Sequence, residues 1–201
     1  MVNIFLDPFI FACPTADQDA DKLDRYIKSI LFCENPHGLF LSANPITVWA
    51  ACQRETDYHK SLCISIYQVI CKSASSPLDS RDLFWAFGHN FIRTAKDFGF
   101  LHQEDKIRML IRACAETILG HAMSDVHHLR EGKGGNSPQR KYGSYKAWRR
   151  DIDYEFHLHY WEAPDGRPIF ADIVVHNNMS ITSPPEDIEF ISIRNHLPSQ
   201  G

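Results

Sequence analysis

The 201-residue sequence lacks a long hydrophobic run, a signal peptide and an excess of positive charge. No stretch approaches the roughly 18 apolar residues that a membrane-spanning helix requires. The apolar start of the chain carries no cationic residue and is interrupted by Asp7-Pro8, unlike a secretory signal. The 21 Lys and Arg residues are outnumbered by 25 Asp and Glu residues, which excludes a uniformly basic coat protein for nucleic acid. We therefore expect a cytoplasmic protein without a membrane partner.

Several chemical signatures are also missing. The six cysteines form no CxxC pair, and none has a histidine at zinc-finger spacing. Because several of them lie among apolar residues of predicted helices, we expect reduced thiols that pack as small hydrophobic groups. The sequence contains neither the GxSxG elbow of serine hydrolases nor a GxGxxG or Walker pattern. Serine-based catalysis and a glycine-rich phosphate loop therefore have no support.

The first 129 residues are predicted to form a mainly helical body. Apolar residues recur there every three or four positions, as in helices with one buried face. The predicted helices begin near Thr15, Pro45, Asp57, Ser80 and Gln103, the last continuing toward Leu129. Glycines interrupt residues 130–147, which we expect to be a flexible basic loop. Residues 148–201 alternate like strands, so the predicted fold class is α+β, with about five helices packed on a small antiparallel sheet in one compact domain.

A β-hairpin is predicted between Tyr154 and His176, around the turn Pro164-Asp165-Gly166. A four-residue loop pairs Glu162 with Arg167, and this register places His159 opposite Phe170 and His157 opposite Asp172. One face is then entirely apolar or aromatic: Tyr154, Phe156, Leu158, Tyr160, Ile169, Ala171, Ile173 and Val175. The other face collects Asp153, Glu155, His157, His159, Trp161, Phe170, Asp172, Val174 and His176. Since the apolar face must pack on the core, the second face displays imidazoles and carboxylates.

The polar face carries three histidines and no lysine or arginine. These residues are chemically more reactive than those that usually cover the solvated face of a sheet. Imidazole titrates near neutral pH and is the commonest metal ligand, and a neighbouring carboxylate can fix its tautomer. We expect His157, His159 and His176 to be catalytic, with Glu155 and Asp172 in support. The alternative is a plain solvated face whose histidines make cross-strand contacts.

A second set of histidines lies at the end of the last predicted helix. His121, Asp125 and His128 are spaced four and three residues apart and would share one helical face, a possible ligand spacing. His127 would point elsewhere. The alternative is that these are surface histidines at a helix end, where the positive form suits the helix dipole.

Basic residues are concentrated between residues 130 and 150, which contain seven Lys or Arg and the single acid Glu131. Aromatic residues alternate with these cations. Stacking on bases combined with neutralised phosphates is how single-stranded nucleic acid is commonly bound. The residues expected to contact nucleic acid are Arg140, Lys141, Tyr142, Tyr145, Lys146, Trp148, Arg149 and Arg150. The alternative is a solvated loop that is basic by chance.

The basic segment leads directly into the histidine strand, so it would deliver a phosphodiester to general acid–base groups. One imidazole or Glu155 would take the proton of a 2′-hydroxyl, and a second imidazole would protonate the leaving oxygen. Arg149 or Arg150 would stabilise the charge on phosphorus. A divalent metal held by His157, His159 and His176, with Glu155 or Asp172 completing or orienting the shell, is the alternative that the sequence leaves open.

The predicted function is therefore a nuclease, with RNA favoured, that serves as a toxin or an antiviral defence effector. Residues 154–176 resemble the closing strands of RelE-type ribonuclease toxins, whereas the long helical first half does not fit a compact toxin of that kind. The other function considered is a non-catalytic subunit of a larger complex. Such a subunit would dock on a partner protein or on nucleic acid through the basic loop and the hairpin.

Overall fold

The computed structural model of the chain describes residues 36–72, 83–132 and 136–196. The chain divides into two units, residues 1–78 with 197–201 and residues 79–196. The helix predicted from Thr15 lies outside the described residues, and so does Lys133 of the basic segment.

Three helices make up the described part of the first unit: α1 (Pro36–Ser42), α2 (Pro45–Ala51) and α3 (Tyr58–Lys72). A 3-10 turn, Glu55–Asp57, precedes α3. Asn44 caps α2 by accepting from the backbone N–H of Ile46, and Pro45 occupies the first helical position, where its missing N–H costs nothing. The predicted helices at Pro45 and Asp57 are thus confirmed.

The described part of the second unit contains seven strands and two α-helices. Their order is β1 (Phe84–Phe87), α4 (Phe91–Asp97), α5 (Glu104–Leu119), β2 (Val126–His128), β3 (Lys141–Tyr142), β4 (Tyr145–Asp151), β5 (Phe156–Glu162), β6 (Pro168–Val175) and β7 (Ile191–Ser192). Two 3-10 turns, Met123–Asp125 and Ile193–His196, complete it. The sheet order is β2-β4-β5-β6-β1-β7, with β3 paired to β4. Residues 130–147, predicted as a loop, therefore include β3 and the start of β4.

The α+β class is confirmed, but the sheet is mixed and not antiparallel, because β1 runs parallel to β6. The helix predicted from Ser80 is wrong in its first half, where Phe84–Phe87 forms β1. This short aromatic run is buried at Trp85 and Ala86, as in a strand covered on both faces. Gly88 then donates its N–H to the Phe170 carbonyl at 2.7 Å, and a Cβ there would lie 3.2 Å from the same oxygen. Glycine permits this close approach before α4 begins.

One face of the sheet packs on α4 and α5. The ring of Phe170 lies 5.7 Å from that of Phe91, and the ring of Phe156 lies 5.3 Å from that of Phe100. The opposite face is called the histidine face; its residues on the three central strands are Ala147, Arg149, Asp151, His157, His159, Trp161, Ile169, Asp172 and Val174. Residues 177–190, called the strap, pack their apolar side chains against a buried cluster that includes Trp161 and Ile169 of this face.

The predicted hairpin forms, but its register differs from the prediction. Glu162 pairs with Pro168, and Tyr160 pairs with Phe170. The register then shifts so that His159, not His157, lies opposite Asp172. Ala171 is the extra residue of a β-bulge, which shifts the alternation by one position. Phe170 consequently faces the helices, whereas Ile169 faces the strap.

Two other assignments to the apolar face or the core are corrected. Tyr154, predicted to be buried, lies in the turn before β5 and is 89% exposed. Four of the six cysteines fall within the described ranges and are free thiols. Cys63 and Cys114 are buried as predicted, whereas Cys71 is exposed.

Arg150 ties β4 to the end of α5 and generates a testable prediction. Its guanidinium is fully buried, lies 2.7 Å from Glu116 and donates to the carbonyl oxygens of His121 and Ala122. Arg150→Ala should lower the free energy of unfolding in urea by about 3 kcal/mol, because the partners lose a buried cation. Arg108→Ala, which breaks an exposed pair with Glu104, should cost less than about 0.5 kcal/mol. Equal losses would contradict a structural role for Arg150.

Candidate functional site

Six polar residues meet where β2, β4 and β5 lie side by side on the histidine face. The histidine cluster, as we call this set, consists of His127, Arg149, Asp151, His157, His159 and His176. The sheet register sets most of it, since Arg149 lies opposite both His127 and His159, and Asp151 lies opposite His157. His176 follows β6 and donates its backbone N–H to the Glu155 carbonyl at 2.7 Å.

His157 lies at the centre of the cluster and is fully buried. Its Nε2 atom lies 3.0 Å from Oδ1 of Asp151, and the other oxygen of this carboxylate lies 3.8 Å from Nε2 of His127. The ring of His176 lies 4.5 Å from the ring of His157. Since the side chains of His127 and Asp151 are 46% and 43% exposed, a buried imidazole adjoins a rim that solvent reaches.

His159 is also fully buried, and its tautomer is fixed by the strap. Its Nδ1 atom lies 2.7 Å from the carbonyl oxygen of Ser180. Because a carbonyl oxygen only accepts hydrogen bonds, Nδ1 must be the donor. The neutral ring of His159 therefore carries its lone pair on Nε2.

Both buried imidazoles are neutral at neutral pH. Burial lowers the pKa of His157 from its usual 6.5 to about 4; the carboxylate of Asp151 opposes this shift and the charge of Arg149 adds to it. Burial likewise lowers the pKa of His159 to about 4, against the hydrogen bond to the Ser180 carbonyl. These rings therefore offer lone pairs and neutral N–H groups to a ligand, not positive charge.

Unsatisfied polar atoms are concentrated in the cluster. Within residues 36–72, 83–132 and 136–196, the buried side-chain atoms without a hydrogen bond are Trp148 Nε1, Arg149 Nε, His159 Nε2 and both ring nitrogens of His157. His157 Nε2 is near Asp151 but outside hydrogen-bond geometry. Buried polar atoms are nearly always paired in folded proteins, so four such atoms on one sheet face indicate a place where a bound group would complete them.

The structure separates the two predicted acidic residues from this cluster's centre. Asp172 accepts from the backbone N–H of Thr182 at 2.6 Å and from its hydroxyl at 2.9 Å, so this carboxylate anchors the strap. Glu155 is exposed in the turn before β5. The carboxylate beside His157 belongs instead to Asp151.

Sequence reasoning missed His127 and Asp151. Helix α5 ends at Leu119, where Gly120 adopts a left-handed conformation (φ 70°), so the predicted helical face of His121, Asp125 and His128 does not exist. His127 and His128 lie in β2 and point to opposite faces. Asp151 could have been found from the sequence, because it lies two residues after Arg149 and so shares its face of β4, and pairing β4 with β5 brings that face beside His157.

The eight predicted nucleic-acid contacts divide between the two faces of the sheet. Lys146, Trp148 and Arg150 alternate onto the helix side, where the Trp148 ring lies 4.6 Å from His128. Lys141 lies opposite Lys146, whose Nζ atom is 3.4 Å from Glu162.

The remaining contacts adjoin the histidine face. Arg140 donates to the Met179 carbonyl at 2.9 Å, and Tyr145 packs on the apolar cluster under the strap. Tyr142 is 51% exposed, with its ring 6.2 Å from that of Trp161. Arg140, Tyr142 and Arg149 thus remain available beside the cluster.

Neither a metal-binding set nor a membrane helix is found in the described part of the chain. No group of three or more His, Cys, Asp or Glu side chains in these ranges is arranged to hold a metal ion. No helix in the same ranges is long and apolar enough to cross a membrane. Comparison of the chain with protein-family models, curated proteins and solved structures returned no match. The chemistry of the cluster is therefore the basis for assigning a function.

The neutral buried rings predict how stability depends on pH. Folded pKa values of about 4 lie below the ordinary 6.5, so the unfolded chain binds more protons between these pH values. The free energy of unfolding should consequently fall as the pH falls through this window. In urea denaturation at pH 7 and pH 5, the double variant His157→Asn with His159→Gln should show a smaller loss than the wild type. His128→Gln, on the opposite face, should match the wild type, and an unchanged loss in the double variant would refute buried neutral rings.

The strap predicts a second effect on stability. Asp172→Ala removes both bonds to Thr182 and should cost about 1–3 kcal/mol of unfolding free energy. The same substitution should also make a protease cut faster within residues 177–190. Limited proteolysis with mass spectrometry of the fragments would measure this rate. Asp187→Ala, at an exposed position of the strap, is the matched control and should change neither measurement. Unchanged proteolysis in Asp172→Ala would show that the carboxylate is not the anchor.

Proposed function

We propose that the protein is a phosphodiesterase that cleaves RNA by general acid–base catalysis at the histidine cluster. The observation that carries this proposal is the unpaired ring of His157, buried 3.0 Å from the Asp151 carboxylate and 4.5 Å from the ring of His176. Two imidazoles and a carboxylate in contact are the groups that a stepwise proton transfer requires. Perturbed titratable groups gathered in this way are typical of catalytic sites.

Each group has a role in the proposed reaction. His157, neutral at working pH, takes the proton of the ribose 2′-hydroxyl, and the negative charge of Asp151 stabilises the imidazolium that forms. The 2′-oxygen bonds to phosphorus while the bond from phosphorus to the 5′-oxygen breaks. His176 in its protonated form donates a proton to that leaving oxygen. The products are a 2′,3′-cyclic phosphate and a free 5′-hydroxyl, so the step consumes no other reagent.

Positive charge for the phosphate comes from Arg149. Its guanidinium lies opposite His159 in the register and is part of the cluster, so it would stabilise charge that develops on phosphorus. Arg140 and the exposed Tyr142 extend the contact toward β3, where an aromatic ring and a cation suit single-stranded RNA. An RNA-cleaving activity would suit a cytoplasmic toxin or antiviral defence effector, and this biological role is part of the proposal.

The second candidate function is nucleic-acid binding without cleavage, as a subunit of a larger complex. Lys141 and Tyr142 of β3 favour it, because both side chains are exposed and an exposed cation beside an exposed aromatic ring suits single-stranded nucleic acid. Binding of RNA through this β3–β4 hairpin would need none of the cluster's proton chemistry.

The two candidates are separated by one set of assays. Wild-type protein should cleave short RNA, but not DNA of the same sequence, in EDTA and without added Mg²⁺, Mn²⁺ or Zn²⁺, and the RNA products should end in a 2′,3′-cyclic phosphate. His157→Ala and His176→Ala should each lower kcat/KM by about 10²–10⁴-fold, the usual worth of a positioned acid or base. His128→Ala removes a histidine from the opposite face and should retain activity.

Other outcomes would reject the proposal in distinguishable ways. Cleavage that appears only with a divalent metal would replace the acid–base scheme by a metal-assisted one. RNA binding without cleavage under every condition would favour the binding subunit. Equal activity of His157→Ala and His128→Ala would place the reaction outside the cluster.

A further inference from the structure

The cross-strand pair of Arg149 and His159 leaves one hydrogen-bond donor and one acceptor unused. The two residues lie directly opposite each other on β4 and β5. Nε of Arg149 and Nε2 of His159 are both buried and lack a hydrogen bond. The guanidinium N–H can only donate, whereas Nε2 of His159 can only accept, because its Nδ1 atom donates to Ser180.

A single group that satisfies both atoms would have a defined chemistry. It would offer a proton to His159 and a lone pair to Arg149. An ionised phosphate oxygen has no proton to give, whereas a hydroxyl group both donates and accepts. In nucleic acids, an internal hydroxyl group is the 2′-hydroxyl that distinguishes RNA from DNA.

We propose that Arg149 and His159 form a subsite that binds the 2′-hydroxyl of a ribose neighbouring the cleaved phosphodiester. The inference rests on the proposed phosphodiesterase function. The rings of His157 and His159 lie 6.2 Å apart, so the hydroxyl bound at His159 is distinct from the one that loses its proton at His157. The subsite therefore binds a second ribose and does not take part in the proton transfer.

Access to the subsite involves the first residues of the strap. His159 is fully buried, while Asn177 and Asn178 are exposed. Ser180, whose carbonyl holds His159, is itself tied to Asn178, because the Asn178 Oδ1 atom accepts from the Ser180 N–H at 2.9 Å and from its hydroxyl at 2.7 Å. A ribose can reach the buried His159 only when the side chains that cover it move.

Chimeric substrates test the subsite separately from the chemistry. One DNA oligonucleotide contains a single ribonucleotide, so its only 2′-hydroxyl is the attacking one. A second contains three consecutive ribonucleotides, so it also presents the 2′-hydroxyl groups of the two neighbouring riboses. The wild type should cleave the central bond of the second substrate with a kcat/KM about five- to tenfold higher, the worth of a buried hydrogen-bonded pair. His159→Phe and Arg149→Lys should each lose this preference.

Two controls guard against indirect effects. Arg108→Lys makes the same substitution at an exposed residue of α5 that pairs with Glu104, outside the proposed RNA contact, and it should keep the wild-type preference. Arg149→Lys keeps the positive charge, so it tests the Nε donor even if His159→Phe does not fold. Equal cleavage of the two substrates by the wild type, or an unchanged preference in Arg149→Lys, would show that the two atoms bind water only.

Failure of the proposed function has a separate signature. If neither chimera is cleaved, the affinities of all-RNA and all-DNA strands of one sequence decide the question. Tighter binding of RNA than of DNA by the wild type, lost in Arg149→Lys and kept in Arg108→Lys, would support the subsite without the chemistry. Equal affinities would overturn it.

Discussion

The β-bulge at Ala171 is the constraint on which the arrangement of the histidine face depends. By adding one residue to β6, it turns Asp172 toward the face that carries His159 and leaves Phe170 among the helices. Asp172 then holds Thr182, and the strap in turn holds His159 through Ser180. Without the bulge, Asp172 would point to the face that packs on the helices, among buried aromatic side chains such as Phe91 and Phe100.

Burial gives the cluster its electrostatic character. A solvated set of histidines near Asp151 would share protons readily at neutral pH, whereas His157 and His159 are held neutral by the loss of water around them. The rim is different, because His127 and Asp151 remain partly exposed. The site therefore combines a buried interior that supplies lone pairs with an edge that solvent reaches.

The parts of the fold that sequence reasoning predicted are those set by local chemistry. Asn44-Pro45 marks a helix start, and Pro164-Asp165-Gly166 marks a hairpin, because caps and turns depend on a few adjacent residues. Alternation within β5 also grouped His157 with His159. It did not locate the bulge, since one extra residue leaves no compositional trace, nor β1, whose four aromatic and apolar residues fit a helix equally well. His127 and Asp151 were missed because their neighbours come from strands that pair across the sheet.

Arg149 and Arg150 are adjacent on β4, and the pleat of the strand points their side chains to opposite faces of the sheet. Arg150 is enclosed between the sheet and α5, while Arg149 reaches the cluster with an unused N–H group. The two arginines are therefore not interchangeable, although they are chemically identical. A deletion of a single residue earlier in this strand would exchange their two environments at once, because successive side chains of a strand point to opposite faces.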